Sequence, residues 1–241
     1  SRIFQIIYAW ARDAPSLILP EGVGFKVGGD TAIQYLVLQV HYAHVEGFRD
    51  GHTDSSGVFL QYTRRPLTKE AGVLLLGTGG KIPALSVENM ETSCIMMEDK
   101  EIHPFAYRTH THALGKEVQG YVVKKNNNLN RKDEWLLLGK RDPLTPQMFY
   151  PVEVNVTIHK GDVMAARCVM KNYRNHETYV GSTGQPELYV CTPVKIDPTN
   201  PYYIKEGEGA WKGPALDSQA VQQAVVLSCR IKIPKLLCAY Y

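Results

Sequence analysis

Apolar and polar residues alternate along much of the chain with a period of two, a pattern typical of half-buried β-strands. In the segment 34–45, "QYLVLQVHYAHV", one face of an extended chain would carry Leu36, Leu38, Val40 and Tyr42, and the other Val37, Gln39, His41 and Ala43. The segment 152–158 alternates in the same way, with its aliphatic residues on one side and Asn155 towards solvent. Both segments are therefore predicted to be strands.

Further short strands are predicted throughout the chain, and few windows favour a helix. Turn-forming sequences such as "GTGGK" and "HKGD" separate them, so the pattern predicts an all-β protein built from antiparallel sandwiches. At 241 residues the chain is long enough for two modest domains, and Pro66 in "TRRPLTKEAG" marks a candidate junction. The further predicted strands cover 57–62, 72–77, 119–124, 134–139 and 163–170.

Composition and charge exclude several classes of protein. Apolar residues make up 44% and charged residues 21% of the chain, which is ordinary for a globular protein. The net charge of +3 comes without a basic run interleaved with aromatic residues, so nothing predicts a nucleic-acid surface. No stretch is apolar for long enough to span a bilayer, and residues 1–15 lack the pattern of a signal peptide. Five widely spaced cysteines without a CxxC pair exclude a zinc knuckle, and their odd number leaves at least one unpaired.

The stretch "FAYRTHTHALGK" (105–116) contains the strongest candidate site. On a strand, His110 and His112 would project from the same face and place two imidazoles side by side. Such a pair indicates a metal site, and imidazole suits zinc, copper and iron alike. His41 is the next candidate ligand because it lies on a predicted strand face. The alternative is that these are ordinary surface histidines, which is our interpretation of the other five.

Arg108 shares the face of His110 and His112 under strict alternation. A guanidinium beside a metal ion is electrostatically costly unless it meets an anion, so an anionic substrate group is one partner that would explain it. An ordinary surface salt bridge is the other explanation. Spacing alone leaves both open.

Longer motifs around these residues carry a resemblance to a known family. The motifs resemble the copper type II, ascorbate-dependent monooxygenases, and within them the peptidylglycine α-hydroxylating monooxygenases. The likeness runs from about residue 8 to residue 184. In chain order the motifs are "YAWARDAPSLILPEGVGFKVGG", "YLVLQVHYAHVEGFRD", "SSGVFLQYTRRP", "HPFAYRTHTHALGK" and "RDPLTPQMFYPVEVNVTIHKGDVMAARCV".

The resemblance implies two antiparallel jelly-roll-like sandwich domains that face one another across a cleft, each with one copper ion. It implies that His110 and His112, together with a methionine, bind the oxygen-activating copper, and that His41 binds the electron-supplying copper. It further implies that Gln39 assists electron passage and that Arg108 grips the carboxylate of a peptide.

The implied activity is hydroxylation of the α-carbon of a C-terminal glycine, in peptides of the amidation pathway. It would use copper, ascorbate as reductant and molecular oxygen as co-substrate, with a glycine-extended peptide as substrate. A lyase domain on another chain or region is an implied partner. The resemblance also implies the secretory pathway, where the triplet Asn155-Val156-Thr157 would be a glycosylation site.

Three features depart from the family pattern. The electron-supplying copper takes an adjacent histidine pair that we expect before Ser1, and no "HH" occurs in the chain. After Gly184, the stretch "QPELYVCTPVKIDPTNPYYI" resembles the family's opening strand out of order, so no methionine ligand is carried over. Cys94 and Cys168 match family half-cystines whose partners lie in the replaced region.

We therefore predict three regions. They are a remnant of the N-terminal copper domain at 1–68, the C-terminal copper domain with the His-x-His pair at 69–184, and a tail at 185–241 in which 187–203 resembles the opening strand. The leading hypothesis is a peptidylglycine monooxygenase whose activity is impaired by an incomplete site. The alternatives are a catalytically silent copper- or peptide-binding sandwich of the same family, and an unrelated β-sandwich adhesion domain.

Overall fold

The computed structural model describes the main part of the chain and several short segments of the tail. The described residues are 7–8, 10, 14–31, 33–38, 40, 42, 44–78, 80–96, 99, 101–111, 113–126, 132–180, 195–196, 204–205 and 222–229. Three of the predicted site residues, Gln39, His41 and His112, lie outside them.

The described residues are almost entirely β-structure or irregular, which confirms the all-β prediction. Their only helix is a single 3-10 turn at Glu46–Phe48. The strands are β1 (Val23–Gly24), β2 (Lys69–Thr78), β3 (Gly80–Ile82), β4 (Val87–Ile95), β5 (His103–His110), β6 (Gly115–Lys124), β7 (Glu134–Arg141), β8 (Tyr150–Pro151), β9 (Val163–Lys171), β10 (Thr178–Val180), β11 (Lys195–Ile196), β12 (Ile204–Lys205) and β13 (Gln222–Cys229).

Two sheets pack against one another as a sandwich. The first sheet has the strand order β1-β2-β13-β5-β8 and the second has the order β4-β9-β6-β7. All neighbours within them are antiparallel except β1 and β2. The main core fills the space between the sheets, and its buried side chains include Leu76, Val118, Val122, Leu138, Met164 and Met170. An arrangement of two facing jelly-roll domains stays a prediction.

Four of the predicted strands lie where the alternation placed them. The segments 72–77, 119–124, 134–139 and 163–170 fall within β2, β6, β7 and β9. These strands supply much of the main core, because each carries apolar residues on the face that meets the opposite sheet.

Two predicted strands are wrong. The described residues of 34–45 and all of 57–62 belong to no strand. Leu36 is 44% exposed and Phe59 is fully exposed, so the alternating apolar face has nothing to pack against among the described residues. An alternating segment is stable as a strand only with paired neighbours and a covered face, and the described part of the chain supplies neither to these two segments.

The segment 152–158 has the predicted buried and exposed sides, but it does not pair with a neighbour as a strand would. Val156 and Ile158 are buried in the main core, and Asn155 is exposed. Within this segment the described pairing is a single antiparallel bridge between Ile158 and Ile102. Its alternation therefore reflects packing of one side onto the core rather than membership of a sheet.

The tail contributes the central strand of the first sheet. β13 pairs along its whole length with β2 and also pairs with β5, antiparallel to both. In this register Val225 lies opposite Leu75 on one side and Arg108 on the other, and Gln223 lies opposite His110. β13 thus satisfies backbone groups of both neighbours, and β5 is an interior strand at Ala106 and Tyr107, where β8 pairs with its other side.

Residues from the beginning of the chain cover the outer face of the first sheet. Leu17 and Phe25 pack with Val73, Ala106 and Phe149 in a small apolar cluster. The same region forms a groove of about 230 Å³, to which Tyr8 also contributes. β5 is therefore packed on both of its faces.

Candidate functional site

β5 positions two of the predicted site residues. Arg108 is only 4% exposed, and His110 at the end of the strand is partly buried. Tyr107, the residue directly before Arg108, packs against Gly139, where an added Cβ would lie 2.1 Å from the tyrosine ring. Since successive side chains of a strand point to opposite faces, this contact fixes which face carries Arg108 and His110.

Gln147 joins Arg108 to His110. The Nε of Arg108 donates to the backbone oxygen of Gln147 over 2.8 Å, and its Nη2 donates to Oε1 of the same residue over 3.3 Å. Nδ1 of His110 lies 2.5 Å from that same Oε1. Gln147 is 2% exposed, so these hydrogen bonds are shielded from water.

The orientation of the Gln147 amide is determined from both of its ends. Its Nε2 donates to the backbone oxygens of Pro143, over 3.0 Å, and Thr111, over 3.4 Å. Oxygen at the Nε2 position would face two carbonyls with no proton between them, so Oε1 must point towards Arg108 and His110. Oε1 only accepts, and it follows that Nδ1 of His110 carries the proton. In the neutral imidazole, Nε2 of His110 is then the nitrogen with the lone pair.

Arg108 is a buried charge without a carboxylate. No Asp or Glu of the described chain forms an ion pair with it, in contrast to Arg167, which pairs with Glu91 over 2.5 Å. Burial lowers the pKa of Arg108 to about 10, against an opposing influence of Tyr8. The guanidinium therefore remains charged at neutral pH, and an anion that reached it would stabilise it.

The surroundings of His110 fit a metal-binding imidazole. Histidines that bind metals almost always donate their other ring nitrogen to a neighbouring acceptor, which fixes the tautomer and the ring orientation. Gln147 supplies that acceptor here. Among the residues that the structure covers, no group of three His, Cys, Asp or Glu side chains could hold an ion, and the other two predicted ligands, His41 and His112, are outside this set.

Gln147 is the residue that sequence reasoning missed. It stands in the motif "RDPLTPQMFYPVE", but it is 37 residues from His110 and no periodicity links the two. Its one visible signal is a polar residue inside an otherwise apolar and proline-bearing run. The backbone pairing of β5 with β8, three residues after Gln147, is what brings it to the site.

Four of the five predicted surface histidines are exposed. His44, His52, His159 and His176 are exposed, and His103 is partly buried, with its Nδ1 3.2 Å from Oγ1 of Thr157.

Two cysteines of the second sheet differ in state. Cys94 is disulfide-bonded, although the partner that the family pattern gives it lies in the replaced region. Cys168 is a free, buried thiol, and burial raises its pKa to about 12. It is therefore a protonated, unreactive group at neutral pH.

Comparison with protein families assigns most of the chain. Residues 69–192 match the C-terminal domain of the copper type II ascorbate-dependent monooxygenases, and residues 2–49 match their N-terminal domain. Arg108, His110 and Gln147 all lie in the first of these matches.

Individual relatives give the same grouping. The chain is 46% identical to peptidyl-glycine alpha-amidating monooxygenase of Mus musculus, over 76% of this chain and 18% of the relative. It is 42% identical to peptidyl-glycine alpha-amidating monooxygenase A of Xenopus laevis, over 76% of this chain and 19% of the relative. Similarity to dopamine beta-hydroxylase of Homo sapiens is lower, at 28% over 75% of this chain and 30% of the relative. The chain thus spans about a fifth of the length of the amidating relatives.

Proposed function

Because the chain belongs to the copper type II ascorbate-dependent monooxygenase family, we propose that it acts as a peptidylglycine monooxygenase. In this proposal it hydroxylates the α-carbon of a C-terminal glycine, the first step of peptide amidation. The high identity to the amidating relatives, 46% and 42% against 28% for the dopamine relative, favours a peptide over a small amine as substrate.

The observation that carries the proposal is the buried Arg108 beside His110, both bonded to Gln147. A buried guanidinium without an acidic partner is a site for an anion, and the C-terminal carboxylate of a peptide is an anion of suitable geometry. Held there, the carboxylate would place the adjacent α-carbon near the imidazole face.

The metal ligands of the proposal are His110 and His112 for one copper ion and His41 for the other, with Gln39 assisting electron passage. Copper would supply the one-electron chemistry that activates oxygen. One oxygen atom enters the C–H bond of the glycine, and the other leaves as water after uptake of two protons and two electrons from ascorbate. Arg108 binds and orients the peptide, and Gln147 holds the proton of His110 on Nδ1.

Location and partners follow from the same family assignment. We propose that the protein works in the secretory pathway on glycine-extended peptides, with a lyase domain on another chain or region completing amidation. We further propose that 1–68 and 69–184 correspond to the N- and C-terminal copper domains, with 185–241 as a tail. No helix within the described ranges is long and apolar enough to cross a bilayer.

A catalytically silent module is the second candidate. The observation that favours it is the buried Arg108 beside His110, a pair that suffices to bind a carboxylate. Such a module would capture peptides at Arg108 and hold one copper ion without delivering electrons.

An activity assay separates the two candidates. The purified chain is incubated with copper, ascorbate, oxygen and a peptide ending in glycine, and the hydroxylated product is detected by mass spectrometry. The control is the same peptide with a C-terminal amide. Product from the free acid alone supports the enzyme. Carboxylate-dependent binding without product supports the silent module, and the absence of both binding and product rules out both.

A further inference from the structure

We propose that Gln147 is a positioning residue that sets the peptide anchor Arg108 and the metal ligand His110 in one geometry. The proposal deepens the proposed function and rests on it. It assigns to Gln147 no contact with copper or peptide. Its action is entirely through the hydrogen bonds that its side chain and backbone make to the two site residues.

The side chain of Gln147 is itself held firmly. Its Nε2 is anchored to the backbone oxygens of Pro143 and Thr111, and the residue is 2% exposed. Leaving such a buried amide without partners is costly, so its orientation is strongly preferred. Oε1 is therefore a fixed acceptor, not one that follows its donors.

Gln147 determines which edge of the Arg108 guanidinium can take a ligand. Nε and Nη2 form one edge of the planar fork, and both donate to Gln147. The edge formed by Nη1 and Nη2 then remains for a bidentate carboxylate, because each Nη carries two protons. Without the Gln147 bonds the guanidinium could rotate, and its preferred edge would be lost.

The same Oε1 determines the tautomer of His110. Its contact with Nδ1 keeps the proton there and leaves the lone pair on Nε2. One oxygen atom thus constrains the carboxylate-binding group and the metal-binding group together. A substitution that removes this oxygen is expected to weaken both, whereas one that keeps it should not.

Gln147→Leu removes every hydrogen bond of the Gln147 side chain and replaces it with an apolar side chain of similar size. In this variant, His110 is expected to change from the Nδ1–H form to a mixture of tautomers. Nitrogen-15 NMR of the metal-free protein measures that change. The dissociation constant for Cu(I) is expected to rise roughly 10- to 100-fold. The dissociation constant for a glycine-extended peptide should also rise, measured without copper.

Gln147→Glu separates the two effects. Its carboxylate keeps an acceptor for Nδ1 of His110, so the tautomer and the copper affinity are expected to stay near wild type. The oxygen that replaces Nε2 faces the backbone oxygens of Pro143 and Thr111, so the free energy of unfolding is expected to fall. The new negative charge competes for Arg108, so peptide binding is expected to fall as strongly as in Gln147→Leu or further. This split between metal and peptide readouts is one that general destabilisation would not produce.

Asn172→Leu is the matched control. Asn172 is a buried amide, 1% exposed, that donates to the backbone oxygens of Ile82, Pro83 and His176. Its loss is expected to destabilise the fold without changing the His110 tautomer. The proposal is overturned if Gln147→Leu keeps the wild-type tautomer, or if Asn172→Leu changes it equally. If wild type binds neither peptide nor copper, the proposed function fails, and the tautomer measurement still tests Gln147 alone.

Discussion

Arg108 carries a positive charge in a place where no acidic side chain of the described structure balances it. The residue is 4% exposed and donates to a neutral glutamine, so the folded protein bears most of the desolvation cost of that charge. A structural salt bridge would have been paired, as Arg167 is with Glu91. The unbalanced charge is best explained by a ligand that supplies the anion.

Replacement by a neutral residue of similar length tests that explanation. Arg108→Met is expected to weaken binding of a glycine-extended peptide by roughly 10- to 100-fold, because a charge-assisted hydrogen-bonded pair is lost. The free energy of unfolding is expected to stay the same or rise, because a buried uncompensated charge is removed. Isothermal titration and denaturant unfolding measure the two quantities.

Arg167→Met serves as the control for Arg108→Met. It removes a half-buried, paired guanidinium from the second sheet, so stability should fall while peptide affinity stays unchanged. A large loss of stability in Arg108→Met would instead indicate that Arg108 has an ordinary structural role.

Single positions differ in how far the sequence could predict them. Arg108 and His110 follow from alternation alone, because the i and i+2 positions of a strand share a face. Gln147 does not, since its contact with His110 spans 37 residues and depends on how β8 pairs with β5. Local periodicity carries no information about such long-range contacts.

β13 shows the same limit for a strand. It lies between β2 and β5, yet the apolar run that contains it has no clear alternation to predict it. Its apolar residues, Ala224 to Leu227, are consecutive, and periodicity alone does not identify such a short continuous apolar run as a strand. The segments 34–45 and 57–62 show the converse, because they alternate and yet form no strand among the described residues.

A proline in the middle of β13 tests its central position. Val226 pairs with Leu74 on one side and Tyr107 on the other. Val226→Pro removes a backbone donor and constrains the backbone inside the sheet, so the free energy of unfolding is expected to fall by about 1–3 kcal/mol, the cost of a buried acceptor left without its donor. Copper and peptide affinity should fall as well, because β5 carries Arg108 and His110.

Val58→Pro is the control for this proline. Val58 is 52% exposed and belongs to no strand, so the same change there should leave the melting temperature nearly unchanged. Equal melting temperatures for Val226→Pro and wild type would show that the first sheet does not depend on β13.

The sandwich as a whole could be predicted from the sequence. At this scale, the copper content of the molecule is the property that tests the proposed function most sharply. The alternating strands, apolar composition and turn signals point to all-β structure because a sheet must bury one face against another layer. The sequence retains the His-x-His pair but contains no adjacent histidine pair. One copper site should therefore be nearly complete, and the other should not.

Copper titration of the purified chain is expected to reach about one tightly held ion, since a site with only His41 binds weakly. His110→Ala should abolish most of this uptake, because it removes the imidazole whose Nδ1 is bonded to Gln147. His176→Ala, at an exposed position, should leave uptake unchanged. Two tightly bound ions per chain would mean that other side chains complete the second site. Unchanged uptake in His110→Ala would remove β5 from the metal site altogether.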